Sequence, residues 1–187
     1  MKGFVLNSRE LKPFDGYIDS TKIAVIGCCG AGKSTLARRL GKTLSLPVLH
    51  LDAYYWQSGW IETPEPQWRE IVTDLVEGQA WIMDGNYSST FDIRFSAVET
   101  IIWLDFPRWL CLGQVLKRIW RYRGRTRADM AAGCPERFDW DFLRWVWDFP
   151  KRSRPKILEA LDRYAEGRQV IVLRHPSDVR RFLSEIQ

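Results

Sequence analysis

Residues 22 to 44 constrain this chain more than any other stretch. An apolar run, Ile23-Ala24-Val25-Ile26, leads directly into Gly27-Cys28-Cys29-Gly30-Ala31-Gly32-Lys33-Ser34-Thr35, after which Leu36, Leu40 and Leu44 recur at helical spacing. A strand, a glycine-rich loop spelled G-x-x-x-x-G-K-S and a helix, in that order, are the signature of a phosphate-binding loop. The chemistry dictates the spelling. Backbone N–H groups must close around a polyphosphate, which requires glycines (Gly27, Gly30, Gly32) that tolerate unusual dihedrals and, with Ala31, leave room for the ligand. The helix that follows directs its positive end at the phosphates. Lys33 is expected to reach the β- and γ-phosphates, Ser34 to ligate Mg²⁺, and Thr35 to touch the α-phosphate.

A chain of 187 residues suffices for one packed α/β domain and is short for two. We expect an N-terminal extension over 1–20, without assigned chemistry, and a single domain over 21–187. Hydrophobic residues make up 45% and charged ones 27%, as in ordinary globular proteins. No apolar run approaches the roughly 20 residues that span a bilayer, and the first twenty residues lack the apolar segment of a signal peptide. The expectation is a soluble, cytoplasmic protein without membrane contact. Of four cysteines, Cys28 and Cys29 are adjacent within the loop, and Cys111 and Cys134 complete no zinc spacing. The pair reads either as small loop residues or as a redox control. The net charge is +5, and residues 117–137 concentrate it, with seven basic residues against Asp129 and Glu136. This is the pattern of an anion-handling segment rather than of a generally basic, nucleic-acid-coating surface.

Four further strands are predicted: Pro47–Asp52, Trp81–Gly85, Ile101–Asp105 and Val170–Leu173. Helices are expected after Thr63-Pro64 (cap and first position), after Pro107, after a capping Ser153, and at the C-terminus. Residues 139–149 are apolar nearly all round, which predicts cover on more than one face. Strands alternating with helices give a parallel sheet covered on both sides, with ligands at the carboxyl ends of the strands. Asp52, Asp84 and Asp105 then become site candidates. Asp84 and Asp105 both have the form of a carboxylate that holds Mg²⁺ through water, and spacing does not choose between them. Asp52 precedes the aromatic stretch Tyr54, Tyr55, Trp56, Trp60, so it suits a general base or hydroxyl ligand, or a turn cap.

The phosphate loop, Asp84-Gly85, Leu104-Asp105-Phe106-Pro107 and the arginines after them resemble the adenylate kinase-like nucleoside and nucleotide kinases. More closely, Leu51-Asp52, Asp84-Gly85-Asn86-Tyr87, Arg118 to Arg127 and Gly133-Cys134-Pro135-Glu136-Arg137-Phe138 resemble the bacterial DNA topology modulation (FlaR-related) proteins over about Lys22 to Leu183. The resemblance implies a three-layer α/β fold with five parallel strands ordered 2-3-1-4-5, use of ATP and Mg²⁺, and Asp84 as the metal-linked carboxylate. It also implies an arginine-rich lid over about 118–137. There Arg118, Arg125 and Arg127 would act on the transferring phosphoryl group and Arg121 on the nucleotide, and Arg174, with His175, would lie near the adenine. His50 is otherwise read as structural. The lid is expected to be mobile without ligand, because its arginines repel one another and have no evident acidic partners nearby. Adenylate kinases carry an arginine shortly after Asp-Gly that grips the acceptor's phosphate. Here Asn86-Tyr87-Ser88 stands in its place and Arg94 is the nearest arginine, leaving the acceptor open; the aromatic stretch could stack a base. The leading expectation is a kinase of small acceptors. The alternative is a nucleotide-regulated DNA-binding protein.

Overall fold

The computed structural model describes residues 4–7, 10–13 and 18–186. In chain order the elements are β1 (Phe4–Asn7), β2 (Glu10–Pro13), β3 (Lys22–Gly27), α1 (Lys33–Leu44), β4 (Val48–His50), α2 (Leu51–Tyr55), β5 (Trp56–Gln57) and β6 (Ile61–Glu62). They continue with α3 (Glu65–Val76), β7 (Trp81–Asp84), α4 (Phe91–Ala97), β8 (Thr100–Leu104), α5 (Arg108–Tyr122), α6 (Trp140–Arg152), α7 (Arg154–Tyr164), β9 (Gln169–Leu173) and α8 (Pro176–Glu185). Five parallel strands run β4-β7-β3-β8-β9 across the sheet. Counted along the chain, that order is 2-3-1-4-5, and helices cover both faces. The parts of the N-terminal extension that are described form a hairpin, β1 with β2, added antiparallel to the β9 edge.

The central strand β3 is flanked on both sides, and Ile23 through Ile26 are fully buried. This explains a continuous apolar run in place of alternation. Its neighbours β7 and β8, and β9 beyond β8, are buried for the same reason. β4 pairs only with β7, so nothing prolongs it, and it ends two residues earlier than its apolar pattern suggests. Leu51 and Asp52 belong instead to the first turn of α2.

Three local expectations are corrected. Thr63 does not cap α3: its hydroxyl donates to the Tyr55 carbonyl, and the helix starts after Pro64. Ser153 makes no side-chain cap; it is a helical hinge between α6 and α7. The tryptophan-rich helix α6 buries one face only, through Leu143, Val146 and Phe149, while Trp140 stays 75% exposed. The aromatic stretch that showed no clean period is α2 followed by the β5–β6 hairpin, whose turn places Trp60 at φ 65°.

Candidate active site

The carboxyl ends of β3, β7 and β4 meet the start of α1, and the site is assembled there. Gly32 precedes α1 with φ 91°, a left-handed conformation, and a Cβ built on it would meet nothing within 4 Å. A phosphate cradle requires such open space beside the loop. Gly30 is held to glycine differently: a Cβ there would run into the Cys111 carbonyl on α5. Lys33 donates through Nζ to the Cys28 carbonyl at 3.1 Å. Burial works against its charge, but Cys29, Asp52 and Asp84 outweigh burial and hold its pKa above the ordinary value. The neighbouring Cys111 thiol and then burial push the Cys28 thiol up, and burial raises Cys29. Both stay protonated at neutral pH, which fits small loop residues better than a reactive thiolate.

The competing strand-end carboxylates have different surroundings. Asp84 is 5% exposed and contacts His50 Nδ1, its register partner across β4 and β7. Asp105 is bound by Arg154 at 3.1 Å from both Nε and Nη2, which fastens the end of β8 to α7. Asp52 is half-buried and accepts a 2.6 Å hydrogen bond from the Tyr87 hydroxyl. Burial raises the pKa of Asp52 more than Tyr87 and Lys33 lower it, giving a carboxylate with increased proton affinity at the mouth of the loop.

His50, read as structural from the sequence, is thus the companion of Asp84, and this contact raises its pKa above 6.5 against the opposing effect of burial. A group whose pKa rises on folding stabilises fully below its unfolded value and loses that contribution as pH climbs through the native one. In chelator-treated protein, the His50 ring titration followed by NMR is expected above pH 6.5. It should move down in Asp84→Asn.

In the lid segment, the expectation of unpartnered arginines is overturned for Arg118 and Arg127. Asp129 and Glu136, 7% and 4% exposed, are the partners. Arg127 bonds Asp129 at 2.6 Å and Glu136 at 2.7 Å. Arg118 Nε lies 2.9 Å from Glu136 as an ion pair whose N–H does not point along the contact. Arg118 and Arg127 are therefore neutralised locally, while the segment keeps its net positive charge in the exposed Arg121, Arg123 and Arg125. The segment is also stitched to the β5–β6 hairpin: the Gly59 N–H donates to Gly133 O, Trp60 Nε1 to Pro135 O and the Cys134 thiol to Gln57 O. Asp129, counted in the sequence only as a charge, is buried beside Arg127 and close to Ser34. Burial opposes its ionisation, but Arg127 and Ser34 prevail and its pKa falls.

Lys33, Ser34, Asp52, Asp84, Arg118 and Arg127 therefore share one electrostatic neighbourhood. Arg121, Arg125 and Arg174 are exposed. A cleft of about 280 Å³ beside the loop is lined by Gly30, Ala31, Gly32 and Thr35 together with Arg39, Phe106, Gln114 and Arg180. Arg174 lies outside that lining, and no spacing along the chain points to Gln114 or Arg180, which tertiary packing of α5 and α8 brings there. The aromatic residues offered as base-stacking surfaces stack on one another: Tyr55 lies 5.1 Å from Trp56 and from Trp68 and 4.6 Å from Tyr87, and Trp56 lies 5.4 Å from Trp60.

The loop, its open cradle and the adjacent cleft fit a nucleoside triphosphate. Ser34 and Asp84 fit Mg²⁺ in the way this ion is usually held, by one or two protein oxygens with phosphates and water. Accordingly, no group of three acidic, histidine or cysteine side chains able to hold a metal occurs among the described residues. No described helix is long and apolar enough to cross a membrane.

No family model matches the chain. It is 28% identical over 126 residues to Uncharacterized protein YqaC of Bacillus subtilis (strain 168), covering 66% of this chain and 70% of that protein. Among solved structures it is similar to shikimate kinase from Acinetobacter baumannii in complex with shikimate (TM-score 0.59, 16% identity, 89% of this chain and 90% of that one). It is also similar to a gluconokinase from Sinorhizobium meliloti 1021 (TM-score 0.53, 16% identity, 88% and 87%). At such identities the likeness concerns architecture, and it agrees with the strand order: the chain has the α/β fold, with five parallel strands and helices on both faces, of those two kinases.

Proposed function

We propose that the protein is a kinase that moves the γ-phosphoryl group of ATP to a hydroxyl of a small acceptor, with Mg²⁺. The observation that carries this reading is the meeting of Lys33, Ser34 and Asp84 with Asp52 and the lid arginines Arg118 and Arg127 around the mouth of one phosphate loop. The loop N–H groups and Lys33 orient the phosphates and oppose their charge. Mg²⁺, held through Ser34 and, by way of water, Asp84, would add charge neutralisation between the β- and γ-phosphates. Asp52, steadied by the Tyr87 hydroxyl, takes the proton of the attacking hydroxyl on its free carboxylate oxygen. Arg127 and Arg118, held by Asp129 and Glu136, face the reacting group and counter its charge, with Arg125 and Arg121 as the outer reserve of the lid. The lid residues 118–137 and the hairpin joined to them exclude water.

ADP release with ATP and Mg²⁺ over a panel of nucleosides, nucleoside monophosphates, sugars and hydroxy acids such as shikimate tests the proposal. Stimulation by an acceptor supports it, and no stimulation by any compound, without nucleotide binding, refutes it. A DNA-binding reading draws on Trp120 and Trp140, 84% and 75% exposed near basic residues of the lid. A duplex DNA arm should show affinity falling steeply with salt if that reading holds.

A further inference from the structure

Helix α5 buries Cys111, Val115 and Ile119, and Gly30 of the phosphate loop rests against the first two of them. Leu110 and Gln114, on one flank, line the cleft beside that loop. On the other flank Trp109, Gly113, Leu116 and Trp120 follow one another at i, i+4, i+7 and i+11, the spacing of a single helical stripe. A surface helix ordinarily carries charged and polar groups on such a stripe. Here Trp109 is 67%, Leu116 43% and Trp120 84% exposed, with Lys117 and Arg121 exposed at the border.

Gly113 adds a second observation. A glycine inside a 15-residue helix weakens it, yet neither a positive φ nor a close neighbour holds this position to glycine: a Cβ built there would meet nothing within 4 Å. Nothing within the chain needs the missing side chain. The order of the stripe gives it a use. Trp109 with Trp120, and Gly113 with Leu116, are two pairs centred on the same point between Gln114 and Val115. Laid antiparallel against a second α5 about a two-fold axis through that point, the helix places each Leu116 in the notch left by the other copy's Gly113, and each Trp109 beside the other copy's Trp120. Such reciprocity, i meeting j and j meeting i, is what a two-fold contact requires.

We infer that this stripe is a homodimer interface in which the α5 helices of two copies pack antiparallel, Leu116 seated at Gly113. The area agrees with a second copy as the occupant. With about 250 Å² for a whole tryptophan and somewhat less for leucine, these exposures leave roughly 450 Å² of side chain per copy and about 900 Å² for the pair. The backbone laid open at Gly113 and the stem of Lys117 bring the total to about 1,000 Å², where specific interfaces begin. A contact of this size gives a dimer of micromolar affinity and not an obligate one. The flank with Leu110 and Gln114 stays uncovered, so the cleft remains open in the dimer. Lys117, Arg121 and the net charge of +5 oppose the approach of two copies, so salt strengthens the pairing, whereas it would weaken a nucleic acid bound on the same tryptophans.

Sedimentation equilibrium of the full chain, from about 1 to 100 µM, should show the 22.0 kDa monomer converting to a dimer, more tightly at high salt than at low salt. Gly113→Glu has room in the monomer and replaces a helix-weakening residue. It should keep or raise Tm and weaken the dimer about tenfold or more. A wild type that stays monomeric throughout the range, or a Gly113→Glu variant that dimerises as the wild type does, overturns the inference. Cysteines placed at 109 or 120 read the register, with diamide taking up the two thiol hydrogens as the disulfide forms. In the antiparallel pair the two copies of residue 109 stand about 16 Å apart, so Trp109→Cys and Trp120→Cys chains are expected to cross-link when mixed and not when alone. Cross-linking no greater in the mixture than in the single-variant samples overturns the antiparallel register.

Discussion

Lys33→Ala is expected to lower phosphoryl transfer by about 10²- to 10³-fold while leaving the fold intact. The two halves of this result have separate causes. In the empty protein, Lys33 Nζ donates a hydrogen bond to the Cys28 carbonyl from a partly buried side chain, so its removal costs about 1 kcal/mol and a few degrees in Tm. In the proposed reaction the same ammonium would oppose charge that develops as the γ-phosphoryl group leaves. Asp52 and Asp84 raise its pKa, which keeps it charged through the neutral range. Turnover within threefold of wild type, or a loss matched by unfolding, would contradict the assignment.

Asp84→Asn and Asp105→Asn should part company. Both residues end buried strands, but Asp84 stands beside the strand that feeds the phosphate loop and its only described partner is His50. Asp105 is held by Arg154. We expect Asp84→Asn to lower Mg²⁺-dependent turnover by about 10²-fold and to raise the Mg²⁺ concentration for half-maximal rate, because an amide keeps the shape and removes the charge. Asp105→Asn should leave turnover within about threefold and cost about 1 kcal/mol or less of stability, since the Arg154 side chain is 40% exposed and water screens the pair. A titration of rate against Mg²⁺ for both variants ranks them. The reverse order would move the metal-linked role to β8.

The parts of the molecule legible in the sequence are those governed by local chemistry. The strand, loop and helix around Gly27 to Thr35 were legible in order, because the apolar run, the glycines and the leucines at helical spacing each mark one of the three. The five parallel strands were legible as apolar runs, because burial on both faces removes alternation, and their order came from the resemblance. The edge escaped: β4 stops at His50 for want of a second neighbour, which moves Asp52 onto a helix. The lid was misread for a similar reason. Asp129 and Glu136 looked like two carboxylates among seven basic residues, and only the folded segment shows that each is buried against Arg127. His50, Gln114 and Arg180 are brought to the site by strand register and helix packing, to which no spacing along the chain points. The aromatic residues after Asp52 gave composition without geometry, and whether they stack on a ligand or on each other is decided by α3, which supplies Trp68.

The most direct measurement of the central claim, that the loop ending at Ser34 is a Mg²⁺-assisted ATP site built for transfer, is calorimetric titration with a non-hydrolysable ATP analogue. It should be run with and without Mg²⁺, on the wild type, Lys33→Ala and Asp84→Asn. One site per chain is expected, strengthened by Mg²⁺ in the wild type, weakened in Lys33→Ala, and insensitive to Mg²⁺ in Asp84→Asn. Failure of the wild type to bind, or binding that neither substitution nor the metal alters, would contradict it.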